Sequence, residues 1–347
     1  GGELHGRPGM LAQAEASAAR GGLPHPRECC SNPAGGPPPR ILPAPRQRAL
    51  NDPRDPTRDK LLIGLVGAGI ARSLSPALHE AEALRHGIRL HYQRIDLDRG
   101  GGGVALLPPL VDALRLIGFD GFNVTFPCKQ AIMPLLDTID DEARAMGAVN
   151  TVVRDGDRLV GHNTDGAGWA WGLRRALPDA DLSVVVLLGA GGAGSAVAHA
   201  ALGMGVGRLG VHDVDAGRAA MLAAELNARH GSGRASAVDD LASALAGATG
   251  LIHATPVGMA KLPGLPLPAA LLRPGLWVSE VVYVPIETAL LKAARAAGCR
   301  VADGGGMAVG QAVRAFRLFT GREPDEARME AHLRSLLAAQ AAAAAGG

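Results

Sequence analysis

Short apolar runs alternate with segments of helical periodicity along most of the chain. Residues 60–66, 90–96 and 121–125 form the first three runs, and amphipathic stretches separate them. Strands that alternate with helices predict a largely parallel sheet, in which ligands bind at the carboxyl ends of the strands. The pattern therefore predicts an α/β protein.

Three helices in this pattern carry features that can be checked directly. Residues 104–116 have helical periodicity, which the pair Pro108-Pro109 interrupts, and another helix is expected to begin within residues 126–130. A last helix is predicted over residues 324–339, followed by a disordered alanine tail over 339–347. Between them, the turn-forming pair Asp155-Gly156 separates two apolar runs and predicts a β-hairpin.

A glycine-rich stretch dominates the second half of the chain. The apolar run 184–188 leads into Gly189, Gly191 and Gly194, and small residues continue at helical spacing to about residue 202. This spacing is typical of a dinucleotide-binding turn, whose helix N-terminus binds the pyrophosphate. A plain strand–turn–helix and a membrane span are the alternatives. Seven glycines and His199 in the uncharged stretch 184–207 argue against the span.

Composition narrows the class of partner. The 347 residues include 35 basic and 33 acidic side chains, and a net charge of +2 gives no reason to expect nucleic acid or a membrane surface as a partner. The four cysteines show no disulfide framework and the histidines no metal-ligand spacing, so a cytoplasmic protein without a metal is expected. Eleven prolines within residues 1–58 predict a disordered N-terminal extension.

Lysine is rare in this chain, and one lysine stands where chemistry is expected. Only four of the 35 basic residues are lysines, and Lys129 follows Thr125 at the end of a predicted strand. Lysine can lose its proton when it is desolvated, whereas arginine cannot, which makes Lys129 a candidate acid/base. Asp165 precedes a helix predicted over 167–177. It could cap that helix or face Lys129 across a cleft.

Two serines lie at the first strand-to-helix junction. Ser75 before Pro76 fits a helix N-cap, but that interpretation leaves Ser73 unexplained. Two hydroxyl groups beside free backbone N–H groups also suit a carboxylate ligand. Both interpretations remain open from these residues alone.

Taken together in chain order, these stretches resemble the shikimate dehydrogenase family, particularly its quinate/shikimate dehydrogenase branch. The resemblance covers about residues 61–337. Its motifs are Ser73-Leu-Ser75-Pro76-Ala-Leu-His79, Asn123-Val-Thr125-Phe-Pro-Cys-Lys129, Gly147-Ala-Val-Asn150-Thr, Asn163-Thr-Asp165-Gly, Gly189-Ala-Gly-Gly-Ala-Gly194, Ala254-Thr-Pro-Val-Gly-Met259, and Gly306-Met307 with Gln311.

The resemblance implies a role for each motif. Lys129 and Asp165 would be the catalytic pair in the interconversion of shikimate and 3-dehydroshikimate, with quinate as a further substrate. The carboxylate would bind to Ser73, Ser75 and Tyr283, and the ring hydroxyls to Thr125, Lys129, Asn150, Asp165 and Gln311. The cofactor-binding residues would be Gly189, Ala190, Gly191, Gly192, Ala193, Gly194, Asp213, Arg218, Thr255, Val281, Gly304 and Met307.

The family fold implies two domains. Residues 60–164 and 304–338 would form an α/β substrate domain with a mostly parallel sheet, and residues 165–303 a Rossmann-type NAD(P)-binding domain. Ser75, where threonine is the alternative, slightly favours shikimate over quinate by the same analogy.

The cofactor preference is expected at the end of the second strand of the nucleotide domain. Common NADP-dependent members carry an Asn-Arg-Thr type motif there, whereas this chain has Asp213, which can accept hydrogen bonds from the ribose hydroxyls and would repel a 2′-phosphate. NAD is therefore expected over NADP, although Arg218 could soften the preference. A catalytically silent dinucleotide-binding protein is the rival interpretation, and a monomer and a homodimer both remain open.

Overall fold

The structure is a computed structural model that describes residues 60–345. The disorder expected for residues 1–58 lies outside the described residues. Within residues 60–345 there are twelve strands: β1 (Lys60–Gly67), β2 (Arg89–Asp96), β3 (Gly121–Val124), β4 (Thr138–Ile139), β5 (Thr151–Asp155), β6 (Arg158–His162), β7 (Val184–Leu188), β8 (Arg208–His212), β9 (Ala235–Ala237), β10 (Gly250–His253), β11 (Trp277–Glu280) and β12 (Arg300–Ala302).

Ten α-helices separate these strands in the described part of the chain. They are α1 (Ser75–Arg85), α2 (Leu107–Ile117), α3 (Asp141–Met146), α4 (Asp165–Ala176), α5 (Gly192–Gly203), α6 (Ala216–His230), α7 (Leu241–Ala246), α8 (Ala289–Ala296), α9 (Gly304–Thr320) and α10 (Glu326–Ala345).

The first six strands form one mostly parallel sheet in the order β2-β1-β3-β5-β6-β4. Only β5 runs antiparallel to its neighbours, because it forms the predicted hairpin with β6 through the turn at Gly156 (φ +61°). β1 and β3 are paired side by side, so their carboxyl ends bring the segments after Val66 and Val124 to the same edge.

The last six strands form an all-parallel sheet in the order β12-β11-β10-β7-β8-β9. This is the Rossmann order, in which the direction of strand progression reverses between the first and fourth strands. Here the reversal lies between β7 and β10, and the glycine-rich stretch follows β7. The predicted fold class, an α/β protein with a Rossmann-type half, is confirmed.

Three of the predictions about helices are wrong. The two prolines do not interrupt a helix: they occupy the first turn of α2, where a missing backbone N–H costs nothing. No α-helix forms at residues 126–130, because the carbonyl of Lys129 accepts the N–H of Val149, whereas the N–H of Met133 donates to Gln130. The alanines predicted to be a disordered tail continue α10 to Ala345, in agreement with the high helix propensity of alanine.

Helices α9 and α10 pack on elements from the first half of the chain. Val309, Val313 and Leu333 share a buried cluster with Leu78 of α1, and Phe319 packs with Ile63 and Tyr92 of the first sheet. The C-terminal helices therefore complete the core around the first sheet, which is why the chain must return there after the Rossmann half.

Helices α4 and α9 approach each other through glycines. A Cβ added at Gly168 would lie 2.4 Å from the backbone nitrogen of Gln311, and one at Gly172 would lie 2.7 Å from the carbonyl carbon of Gly306. A Cβ at Gly310 would likewise lie 2.6 Å from the carbonyl oxygen of Gly168. Glycine at i and i+4 of both helices lets the two backbones touch. This contact fixes the position of Gln311 relative to the start of α4.

Candidate active site

A lysine and an aspartate meet beside the first sheet. Lys129 Nζ lies 2.5 Å from Asp165 Oδ2, and the two side chains are 19% and 7% exposed. Lys129 belongs to the turns that follow β3, while Asp165 is the first residue of α4. The N-cap of that helix is Thr164, so Asp165 faces Lys129 and does not cap the helix.

Asn150 holds the aspartate in place. Its Nδ2 donates to Asp165 Oδ1 (2.8 Å) and to Thr164 Oγ1 (2.9 Å), and its Oδ1 accepts the N–H of Thr164 (2.8 Å). The N–H of Asp165 donates to Asn163 Oδ1 at 2.9 Å. One carboxylate oxygen is thus fixed by an amide and the other by the lysine, which leaves the orientation of the carboxyl group little freedom.

The loop between β1 and α1 presents two hydroxyl groups. Ser73 Oγ lies 3.3 Å from Ser75 Oγ and accepts the N–H of Ser75 at the same distance. Ser75 is the first residue of α1 and the N-cap is Leu74, so the capping interpretation of Ser75 is wrong. The loop is fixed by Asp96, which accepts the N–H groups of Gly69 and Ile70 (3.0 and 3.1 Å).

Both tyrosines of the chain lie near these serines. The Tyr92 hydroxyl donates to Asn123 Oδ1 (2.6 Å), with Ser75 and Tyr283 close by. Burial raises the pKa of both phenols, so each remains a neutral hydroxyl. Tyr92 and Asn123 had no assigned role from the sequence. The scarcity of tyrosine, with two in 347 residues, is the signal that could have marked Tyr92.

Thr125 and Gln311, both predicted to bind the ring hydroxyls, lie on different elements: Thr125 directly after β3 and Gln311 on α9. Thr125 packs over Gly67, where an added Cβ would lie 2.3 Å from its Cγ2. Gln311 lies on α9 and contacts α4 at Gly168, one helical turn after Asp165. Its side-chain amide donates to the carbonyl of Ala308 (3.0 Å). Both side chains are half-buried.

The glycine-rich stretch forms a tight loop that only glycine allows at its ends. Gly189 has φ +102°, and a Cβ at Gly194 would lie 1.9 Å from the carbonyl oxygen of Gly189. The middle of the loop differs: a Cβ at Gly191 would meet nothing within 4 Å, and one at Gly192 would lie 3.9 Å from Lys129. The loop is therefore open at Gly191 and adjoins the lysine at Gly192, where α5 begins.

Asp213 supports this loop directly. Its Oδ2 accepts the N–H of Ala190 (2.7 Å), the second residue of the loop, and its Oδ1 accepts the N–H of Asp215 (2.9 Å). Arg218 is paired with Asp215, its Nε lying 3.2 Å from Oδ2. Two carboxylates and one already paired guanidinium therefore stand at the end of β8.

The remaining predicted cofactor contacts lie after β10 and β11 and at the start of α9. A Cβ at Gly189 would lie 3.0 Å from Thr255 Cγ2, and Val281 follows β11 with its N–H donating to the carbonyl of His253. Gly304 abuts Val281 and Val282: a Cβ there would lie within 2.6 Å of both carbonyl oxygens. Met307 is 7% exposed and packs with Trp169, so the core holds most of its side chain.

Other kinds of site are not evident in the described residues. Within residues 60–345, no three or more His, Cys, Asp or Glu side chains form a group able to hold a metal ion. None of the helices in the same range combines the length and apolar character needed to cross a bilayer.

A glycine loop at the strand reversal of a Rossmann sheet, adjoining a lysine from the turns after β3 and an aspartate at the start of α4, is typical of dinucleotide-dependent oxidoreductases. Comparison with known proteins specifies the family. Residues 65–152 match the shikimate dehydrogenase substrate binding domain, and residues 304–334 match the shikimate 5′-dehydrogenase C-terminal domain.

Three similar proteins show how far the likeness extends. A shikimate dehydrogenase (NADP⁺) from Streptomyces avermitilis is 58% identical over 81% of this chain and 97% of its own length. A quinate/shikimate dehydrogenase (NAD⁺) from Corynebacterium efficiens is 49% identical over 80% and 99%. The structure of quinate dehydrogenase from Corynebacterium glutamicum in complex with NAD superposes with a TM-score of 0.75, at 46% identity over 80% and 99% of the two chains. The chain belongs to the shikimate dehydrogenase family.

Proposed function

We propose that the protein interconverts shikimate and 3-dehydroshikimate, and quinate and 3-dehydroquinate as a second reaction, with NAD as the cofactor. The observation that carries this proposal is the contact between Lys129 and Asp165 beside Gly192, which places an acid/base pair next to the start of α5. The rival, a silent dinucleotide-binding protein, has no support from the relatives named above, all of which are dehydrogenases.

The loop from Gly189 to Gly194 fits a dinucleotide. Open space at Gly191 allows a phosphate to approach the backbone, and the helix N-terminus at Gly192 supplies N–H groups and a positive dipole end. Thr255 after β10, Val281 after β11 and Gly304 at the start of α9 would line the nicotinamide half. A bound NAD would supply the acceptor for the hydride that leaves the alcohol carbon.

The chain's own residues handle the proton. In the oxidation direction, the substrate O–H proton passes to Lys129 Nζ, which the Asp165 carboxylate orients from 2.5 Å away. In the reverse direction, the Lys129 ammonium donates a proton to the ketone oxygen. Asn150 keeps one oxygen of Asp165 engaged, so the other remains directed at the lysine.

The substrate carboxylate would bind at the opposite end of the site. Ser73 and Ser75 present adjacent hydroxyls, and the neutral Tyr283 phenol adds a third donor. Thr125, Asn150 and Gln311 would bind the ring hydroxyls between this group and the lysine. Apart from Tyr283, we assign these residues to a substrate domain of residues 60–164 and 304–338. Residues 165–303, which include Tyr283, form the nucleotide domain.

NAD is favoured over NADP by the charges at the end of β8. Asp213 and Asp215 place two carboxylates there, and Arg218, the cation that a 2′-phosphate would need, is already paired with Asp215. A 2′-phosphate bound there would lie beside two carboxylates, with the charge of Arg218 already partly offset by Asp215. The names of the relatives include both cofactors, so the preference rests on these three side chains.

The decisive experiment measures initial rates for shikimate and quinate, each with NAD and with NADP, on the purified full chain. We expect turnover of shikimate with NAD and a lower kcat/KM with NADP. An enzyme that binds NAD but reduces it with neither alcohol would favour the silent rival. Sedimentation of the same preparation would decide between a monomer and a homodimer.

A further inference from the structure

A buried chain of polar side chains lies beneath the carboxyl edge of the Rossmann sheet. His253 and Glu280 end the paired strands β10 and β11, and their side chains are completely buried, with His253 Nδ1 lying 2.8 Å from Glu280 Oε1. On its other side, His253 Nε2 lies 2.5 Å from Thr255 Oγ1. The order Glu280–His253–Thr255 leads from the core to the surface of the cofactor crevice.

Glu280 accepts three hydrogen bonds within the protein. Its Oε1 also accepts the N–H of Val282 (2.9 Å), and its Oε2 accepts the hydroxyl of Thr288 (2.9 Å), the N-cap of α8. A carboxylate only accepts hydrogen bonds, so His253 must carry its hydrogen on Nδ1. In the neutral ring this tautomer makes Nε2 an acceptor, and the Thr255 hydroxyl donates to it.

The direction of these bonds decides what Thr255 offers a ligand. When the ring is neutral, the hydrogen of Thr255 points inward to His253, and its oxygen accepts the N–H of Val257 at 3.3 Å. One lone pair remains, so Thr255 can act toward the crevice only as an acceptor.

The general arrangement of a dinucleotide on a Rossmann sheet indicates which part of the cofactor would contact the Thr255 hydroxyl. The acidic residue after the second strand, here Asp213, marks the adenosine half, and the dinucleotide crosses the strand reversal to the other half of the sheet. Thr255 follows β10 on that far side, in contact with the start of the glycine loop. Its partner is therefore a donor in the nicotinamide half.

We propose that Glu280 and His253 are positioning residues that hold the Thr255 hydroxyl as an acceptor for the N–H of the nicotinamide carboxamide. The inference rests on the proposed cofactor site and assigns a recognition element within it. It also explains why a complete carboxylate–imidazole–hydroxyl chain is buried away from Lys129.

Calorimetric dissociation constants test the proposal with two cofactors. NAD carries the carboxamide NH₂, while 3-acetylpyridine adenine dinucleotide has a methyl group in its place and keeps the carbonyl. Thr255→Val should weaken NAD binding by about 3- to 10-fold, the effect of one hydrogen bond, and leave the acetylpyridine analogue unchanged. Thr255→Ser, which keeps the hydroxyl, should bind NAD as the unaltered chain does.

A double-mutant cycle tests the positioning role. His253→Gln should weaken NAD binding in the presence of Thr255 and have no further effect in the Thr255→Val background. If that variant does not fold, Glu280→Gln gives the same comparison with a smaller change. Equal weakening of both cofactors by Thr255→Val, or additive effects in the cycle, would overturn the inference. Failure of the unaltered chain to oxidise either alcohol while still binding NAD would overturn only the proposed reaction.

Discussion

Lys129 Nζ and Asp165 Oδ2 lie 2.5 Å apart although the two residues are 36 positions apart in sequence. The distance depends on two separate anchors. The N–H of Val149 holds the backbone of Lys129, and Asn150, the next residue, holds the carboxylate of Asp165. A single short segment therefore aligns both members of the pair.

Replacing the lysine should stop proton transfer and spare cofactor binding. We expect Lys129→Ala to lower kcat by at least about 10²-fold, since general acid/base assistance has this magnitude, with little change in the dissociation constant of NAD. Lys292→Ala, on an exposed position of α8, is the matched control and should retain full activity. Near-normal turnover of Lys129→Ala would remove this residue from the mechanism.

The cofactor preference should respond to one carboxylate. Asp213→Asn removes a charge and retains an oxygen that can accept one of the two N–H groups that Asp213 now binds. We expect the ratio of kcat/KM for NAD to that for NADP to fall by about tenfold, equivalent to about 1.4 kcal/mol of lost repulsion. Asp239→Asn, an exposed change in the same half of the chain, should leave the ratio unaltered. An unchanged ratio in Asp213→Asn would mean that other groups select the cofactor.

A buried histidine should make the fold sensitive to acid. Burial lowers the pKa of His79 from 6.5 to about 4, and neither ring nitrogen has a partner among the described residues. Below pH 6.5 the His79 imidazole is protonated in the unfolded chain but stays neutral in the folded chain. The free energy of unfolding therefore falls as the pH drops toward about 4 and then levels off. His199, with its pKa also lowered to about 4, adds to the same trend.

The contribution of His79 can be isolated by substitution. His79→Phe should reduce the loss of unfolding free energy between neutral pH and about pH 5 by about 2 kcal/mol, as measured by urea denaturation at each pH. His91→Gln serves as the control, because the side chain of His91 is 67% exposed. If the acid slopes of His79→Phe and the unaltered chain coincide, His79 is not the group responsible.

The sequence predicted best those features that are formed by residues close together in the chain. The glycine spacing from Gly189 to Gly194 predicts the loop because the backbone geometry at its two end residues, Gly189 and Gly194, excludes a Cβ. Contacts between side chains on different strands could not be predicted from such local patterns. His253 and Glu280 meet only because β10 and β11 are paired in one register, and Tyr92 reaches Asn123 across two intervening pairings of the first sheet. The helix expected after Thr125 does not form for a similar reason: the carbonyl of Lys129 accepts the N–H of Val149, a residue distant in sequence.

The glycine contact between α4 and α9 should couple stability to substrate binding. Gly168→Ala would drive a Cβ to within 2.4 Å of the Gln311 backbone nitrogen, so the helices must separate, at a cost of about 1–3 kcal/mol in unfolding free energy. Because Gln311 moves with the backbone, the KM for shikimate should rise while the dissociation constant of NAD stays the same. Gly203→Ala at the end of α5 is the matched control, since its Cβ would meet nothing within 4 Å. That change should be neutral or stabilise by up to about 1 kcal/mol. Equal stability of the two variants would show that the close approach of α4 and α9 does not depend on glycine.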